Sequence, residues 1–226
     1  SKAFPFPEMN SMGGLVQSKI QLSGTHTNLK TDGDIEIQGF SYKGNDMPVL
    51  SIDKIQSLFT DHQISIHARD GMFAKTRFGF DLVLPEPFSF MNPQVNIPVE
   101  IKLYSPEINL DNWLPQDSWV DSTNTETKAQ MTYLPDFIDR LQISLIADAG
   151  KIVFQQDTTR ANQLIANIAK EKIEFTSFTG IKNNSDWNIS GNIEGIYGYL
   201  LEQKTLNGKL NIESKYLNFN DFVNIN

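Results

Sequence analysis

The chain has 226 residues, a formal net charge of -8 and no cysteine. Its acidic balance excludes a nucleic-acid surface, because phosphate binding needs clustered Lys and Arg that release counterions, and the 19 basic residues are scattered. The missing cysteines exclude disulfide frameworks, thiolate metal sites and cysteine nucleophiles together.

The opening "SKAFPFPEMNSMGG" lacks the basic start and apolar stretch of a secretory signal, and no run approaches the roughly 18 apolar residues of a membrane-spanning helix. The chain starts without Met and stops within "FVNIN", so it is expected to be a segment of a longer protein.

Period-two alternation dominates the remainder of the chain, and it places successive side chains on opposite faces of a strand. In chain order the runs are "KIQLSG" (19–24), "DIEIQGF" (34–40), "QISIHA" (63–68), "RFGFDLVL" (77–84) and "VEIKLYS" (99–105). After them come "LQISLIA" (141–147), "KIVFQQ" (151–156), "KIEFTSF" (172–178), "WNISGNIEG" (187–195) and "GKLNIES" (208–214). The signals "TDGD", "KGND", "ARDG", "DAGK", "KNNSD" and "LNGK" predict turns between strands, since Gly and Asn accept positive φ. The expectation is a mostly β fold with antiparallel neighbours, either a twisted sheet forming an open groove or a sandwich.

Three stretches depart from this rhythm. "PEPFSFMNPQVNIP" (85–98) carries four prolines, which suits an edge or a crossing segment. "PQDSWVDSTNTETKAQMTYLP" (115–135) is polar, and its central part predicts a linker over 117–135 between units at 1–116 and 136–226, unless the whole is one continuous domain. Pro135 and Asp136 predict one short helix near 136–141. In "RANQLIANIAKEK" (160–172), Leu164, Ile165, Ile168 and Lys172 fit a helix while Leu164, Ala166 and Ile168 fit a strand; periodicity alone favours the helix.

One phrase occurs twice. "SPEINLDNWLP" (105–115) aligns without a gap on "SKYLNFNDFVN" (214–224), 109 positions later. Ile108, Leu110, Trp113 and Leu114 coincide with Leu217, Phe219, Phe222 and Val223, and Asn109, Asp111 and Asn112 are answered by Asn218, Asn220 and Asp221. The strand before it matches too, with Ile101 and Leu103 on Leu210 and Ile212. These positions are structural: a strand running into a hook whose Asn and Asp bond nearby backbone, closing each of two related halves.

Chemistry is hard to find. His62 and His67 flank one strand five residues apart, on opposite faces, and with Asp61 or Asp70 they do not complete a metal site; His26 is distant in sequence. No serine lies in a G-x-S-x-G elbow, and the carboxylate pairs Asp32 with Asp34 and Glu171 with Glu174 flank turns, as solvated residues do. The glycines of "MGG" and "GNIEGIYG" lack a P-loop lysine. No enzymatic activity, metal or cofactor is expected. The 15 Phe and three Trp fit a sandwich core, which composition favours, or an apolar concave face for a hydrophobic ligand.

Taken in order, "LSGTHTNLKTDGDIEIQGF", "LSIDKIQSLFTDHQISI", "LPDFIDRLQISLIADAGKIVFQQ", "EKIEFTSFTGIKNNSDWNISGNIEG" and "SKYLNFNDFVN" resemble the AsmA-like family of Gram-negative envelope proteins, in a Bacteroidetes-style version. The similarity covers most of residues 15–226. It implies a periplasmic protein, anchored to the inner membrane by a segment absent from this chain, that serves outer-membrane biogenesis or lipid transport. Phospholipid acyl chains and envelope proteins are the implied partners. It also implies strand at 164–168, and it carries no catalytic motif. The rival expectation is an extracytoplasmic β-sandwich binding module for protein or glycan, using Trp113, Trp119 and Trp187 as its contact surface.

Overall fold

The computed structural model describes residues 9–25, 28–44, 48–87, 89, 92–112, 138–154, 157–195 and 205–221. The alternating runs extend into β1 (Met9–Thr25), β2 (Asn28–Gly44), β3 (Leu50–Phe59), β4 (Gln63–Phe73), β5 (Thr76–Pro85) and β6 (Ile97–Ser105). A two-residue strand, β7 (Ile108–Asn109), precedes β8 (Leu141–Phe154), β9 (Asp157–Ala169), β10 (Lys172–Lys182), β11 (Ser185–Glu194) and β12 (Asn207–Glu213).

These strands form one twisted, open sheet of 12 strands in the order of the chain, with β7 beside β8 off the main path. Every neighbouring pair on that path is antiparallel except β6 with β8, which run parallel from Ile97↔Leu141 to Ser105↔Ala149. The same register resumes at Ile108↔Ile152, so β7 continues β6 after the break at Pro106 and Glu107. Among the described residues no second layer covers this sheet, so the sandwich that composition favours is not formed. The protein exposes 16608 Å², against roughly 10,400 Å² for a compact chain of its mass.

The densest packing lies beside the parallel junction. Leu84, Ile97 and Val99 are buried together, with Ile64, Leu82, Ile101, Leu141 and Ile143 against them. Arg140 clamps the segment that passes this end of the sheet, its guanidinium donating to the carbonyls of Ser89 (3.3 Å), Asn92 and Val95 (3.1 Å). The proline-rich stretch is thus a connection between β5 and β6.

Several local expectations are corrected. "DAGK" lies inside β8, which runs unbroken from the strand expected at 141–147 into the one expected at 151–156, as far as Phe154. "TDGD" lies inside β2, and "ARDG" forms a bulge in β4, with Asp70 at φ 52 and a register shift between Ala68 and Gly71. The reversal falls instead at Ala74 and Lys75, both at positive φ, the geometry of a primed hairpin turn without its usual Asn or Gly. Residues 160–169 belong to β9, which agrees with the strand expected at 164–168 and not with the helix that periodicity alone favours: β8 and β10 pair with both edges of this segment, and those ladders override its helical periodicity. The helix expected near 136–141 is a single 3-10 turn at Ile138–Arg140, and residues 117–135 lie outside the described residues.

Strand positions also correspond at the spacing of the doubled phrase. β4 and β10 begin at Gln63 and Lys172 with 11 residues each, and β5 and β11 at Thr76 and Ser185 with 10 each. The 3-10 turns Leu110–Asn112 and Phe219–Asp221 are separated by the same 109 positions.

Candidate functional site

Pairing in register carries alternation across the sheet as well as along each strand. Starting at β1, Val16 pairs with Ile37, then Ile55, Ala68 and Phe80 follow on β3, β4 and β5. The row continues through Leu103, Ala147, Leu164, Phe178, Ile189 and Ile212, reaching β12 without one polar residue. Eleven strands about 4.8 Å apart make this row roughly 48 Å long. A second row, two residues along each strand and three along β10 where its register shifts, runs Ile35, Ser57, Ile66, Leu82, Ile101 and Leu145, and then Ala166, Phe175, Gly191 and Leu210. At its β1 end Ile35 pairs with the exposed Ser18, and its other polar side chain, Ser57, is buried and donates to the Ser65 carbonyl at 3.3 Å.

The residues between these rows occupy the other face, and they are polar over most of the sheet. Glu36 receives Lys54 at 3.0 Å and Gln38 at 2.6 Å, and its carboxyl is held below the ordinary value first by the Gln38 hydrogen bond and then by Lys54. Farther along, Asp81 receives His67 and Arg69, each at 2.7 Å. Burial pushes its pKa up, but the His67 and Arg69 hydrogen bonds and the Arg69 charge outweigh that and leave it lowered. Arg69 also lies 5.1 Å from the ring centre of Tyr104, whose hydroxyl donates to the Ala68 carbonyl. The sheet therefore has one largely polar face and one apolar face; among the described residues no second sheet lies on the apolar one, and Leu84, Ile97 and Val99 are buried at one end of it.

Aromatic rings stand over glycines on the sheet. A Cβ on Gly71 would meet the Phe78 ring at 2.6 Å, and one on Gly180 would meet Trp187 Cζ2 at 2.2 Å. Both pairs lie directly across a ladder, and both positions are 109 residues apart. Trp187 thus belongs to a strand and packs on the sheet; Trp113 and Trp119 lie outside the described residues.

Of the positions expected to mark the doubled phrase, Ile108 and Leu110 are half-buried, while Leu217 and Phe219 are 41% and 73% exposed. Trp113, Leu114, Phe222 and Val223 lie outside the described residues. In both hooks an asparagine side chain turns the backbone. Asn109 Oδ1 accepts from the Asp111 N–H at 3.0 Å, and Asn218 Oδ1 from the Asn220 N–H at 3.1 Å. Asp186 anchors the second hook by accepting the N–H groups of Tyr216 (2.9 Å) and Lys215 (3.3 Å), and these bonds lower its pKa. Buried Ser185 donates to Asp221 Oδ2 at 2.6 Å, which lowers that carboxyl too. The first hook uses Ser105, whose hydroxyl donates to the Arg77 carbonyl at 2.6 Å.

The two described histidines, His62 and His67, do not form a common site. His62 lies 3.5 Å from Asp61 at a turn, His67 is on the polar face, and His26 is outside the described residues. Among the described residues, no group of three or more His, Cys, Asp or Glu could hold a metal ion, and no helix is long and apolar enough to cross a membrane. The one signal that could have disclosed the apolar face in advance is the alternation itself, once the strands are placed in register. No protein-family model, curated protein or solved structure matches the chain.

Proposed function

We propose that this chain is a non-enzymatic segment of a periplasmic AsmA-like protein, and that its apolar sheet face shields phospholipid acyl chains during outer-membrane biogenesis or lipid transport. A segment outside this chain holds the protein at the inner membrane. The observation that carries the proposal is the apolar row from Val16 to Ile212 on an open sheet. A single layer cannot bury its own apolar face, and a continuous apolar row that is half-buried along most of its length and exposed at Val16 and Ile212 marks a surface that meets an apolar partner. Acyl chains suit it because the surface offers width and length without polar groups that would need pairing. The strand correspondences at 109 residues support two related halves that lengthen one surface.

Photocrosslinking tests this directly. A photoreactive phenylalanine analogue at Phe178 or Leu103 is expected to capture phospholipid from mixed vesicles, and the same analogue at Gln56 on the polar face is not. Equal capture at both faces, or none at either, overturns the proposal. The binding-module reading has less support, because Trp187 packs over Gly180 within the sheet. A tryptophan fluorescence response to glycan or peptide, without one to lipid, would restore it.

A further inference from the structure

Position by position, β12 is the counterpart of β6, yet the two strands have opposite surroundings. β6 is covered along its outer edge by β8 in a parallel ladder, and buries Ile97, Val99 and Ser105. All seven residues of β12 are exposed, and β11 is its single partner among the described residues. The hooks repeat the contrast: Ile108 is half-buried against β8, whereas its counterpart Leu217 is 41% exposed and Phe219, the counterpart of Leu110, is 73% exposed. An uncovered strand edge presents a row of free N–H and C=O groups, a template for another strand.

We infer that the outer edge of β12, with the Leu217–Phe219 hook, is a docking site for an extended polypeptide strand that adds parallel to β12 in the way β8 adds to β6. The partner strand alternates apolar and polar residues, and its apolar side chains extend the apolar face beside Leu210 and Ile212. The register follows from the existing junction. Leu210 stands in the place of Ile101, which pairs with Leu145, and Ile212 in the place of Leu103, which pairs with Ala147. Glu213 stands in the place of Tyr104, whose partner is Asp148, so the docking strand carries a cation there instead of a carboxylate. This inference rests on strand geometry and is independent of whether lipid occupies the apolar face.

The β8 sequence itself supplies the probe: a peptide of residues 141–154 carrying Asp148→Lys. Asn211 is exposed on β12 and stands in the place of Lys102, which pairs with Ile146; the chain has no cysteine of its own. With Asn211→Cys in the full chain and Ile146→Cys in the peptide, mild oxidation is expected to form a disulfide at least tenfold faster than with Leu145→Cys, which would point to the opposite face. Hydrogen exchange on the unsubstituted chain keeps the test independent of the cysteine variant. Excess peptide is expected to slow alternate amides of β12, and a scrambled peptide to slow none. Equal crosslinking at both peptide positions, protection appearing at β1 or nowhere, or concentration-dependent pairing of two copies through β12 without peptide, would overturn the inference.

Discussion

Ile97→Ala probes where the stability of an open sheet resides. Ile97 is fully buried beside Leu84 and Val99, at the start of the parallel junction that joins β1–β6 to β8–β12. Truncation removes three carbons, and at about 0.8 kcal/mol per buried methylene the transfer loss is about 2.4 kcal/mol. The cavity left behind adds to this, though the partly buried Ile64 and Leu141 can move into it, so the expected cost is about 2.5–3.5 kcal/mol. Ile212 takes the same truncation on β12, where it is 64% exposed, and about a third of the transfer loss, under about 1 kcal/mol, is expected. Urea denaturation followed by circular dichroism measures both, with the difference appearing in the midpoint at an unchanged slope. If Ile97→Ala costs under about 1 kcal/mol, or no more than Ile212→Ala, the junction is not the centre of stability.

Two further outcomes are expected. Gly180→Ala drives a Cβ to within 2.2 Å of Trp187 and 2.6 Å of Asn162 Oδ1, so the indole must leave its seat; a loss of about 1–3 kcal/mol and a changed near-ultraviolet dichroism of the indole should result. Asp186 and Asp221 have lowered pKa values, so their hold on the second hook is complete above the ordinary aspartate value and lost as pH falls below about 4 through the folded values. NMR amide protection of Tyr216 should fall in that window, and in Asp186→Ala it should already be low at neutral pH; protection that is unchanged in both cases refutes the anchoring role.

Alternation made the strands and the hooks legible, because both are local: β4, β10 and the Asn-led turns follow from residues that are neighbours in sequence. What stayed hidden depends on pairing. Gly33 reads as a turn residue but lies opposite Ile20, where a Cβ would come within 2.2 Å of the Lys19 carbonyl oxygen, so glycine is needed for close strand approach. Gly150 likewise lets β8 pass the Pro106 carbonyl, and this is why "DAGK" does not reverse the chain. The turn at Ala74 and Lys75 carries no turn residue at all, and its conformation is imposed by the ladder between Phe73 and Thr76. The apolar face was the least legible feature, since each strand shows only that it has an apolar side, not whether another layer meets it.

That last distinction follows from connectivity. A sandwich needs a connection that carries the chain across a face so that two apolar sides can meet, whereas the described hairpins place each strand beside its predecessor. Growth by hairpins lengthens the sheet by about 4.8 Å at each step and keeps the paired apolar rows on one surface, with exceptions such as Ile146 and Ile165 on the other. Closure would require β1 and β12 to pair, but β1 has 17 residues and β12 has seven, so most of the β1 edge would stay unmatched. The parallel step from β6 to β8 preserves the same arrangement, because its register sets Leu103 beside Ala147 and Ile101 beside Leu145. An alternation that could fill a core thus builds a surface, and its apolar area must be met by something other than the described strands.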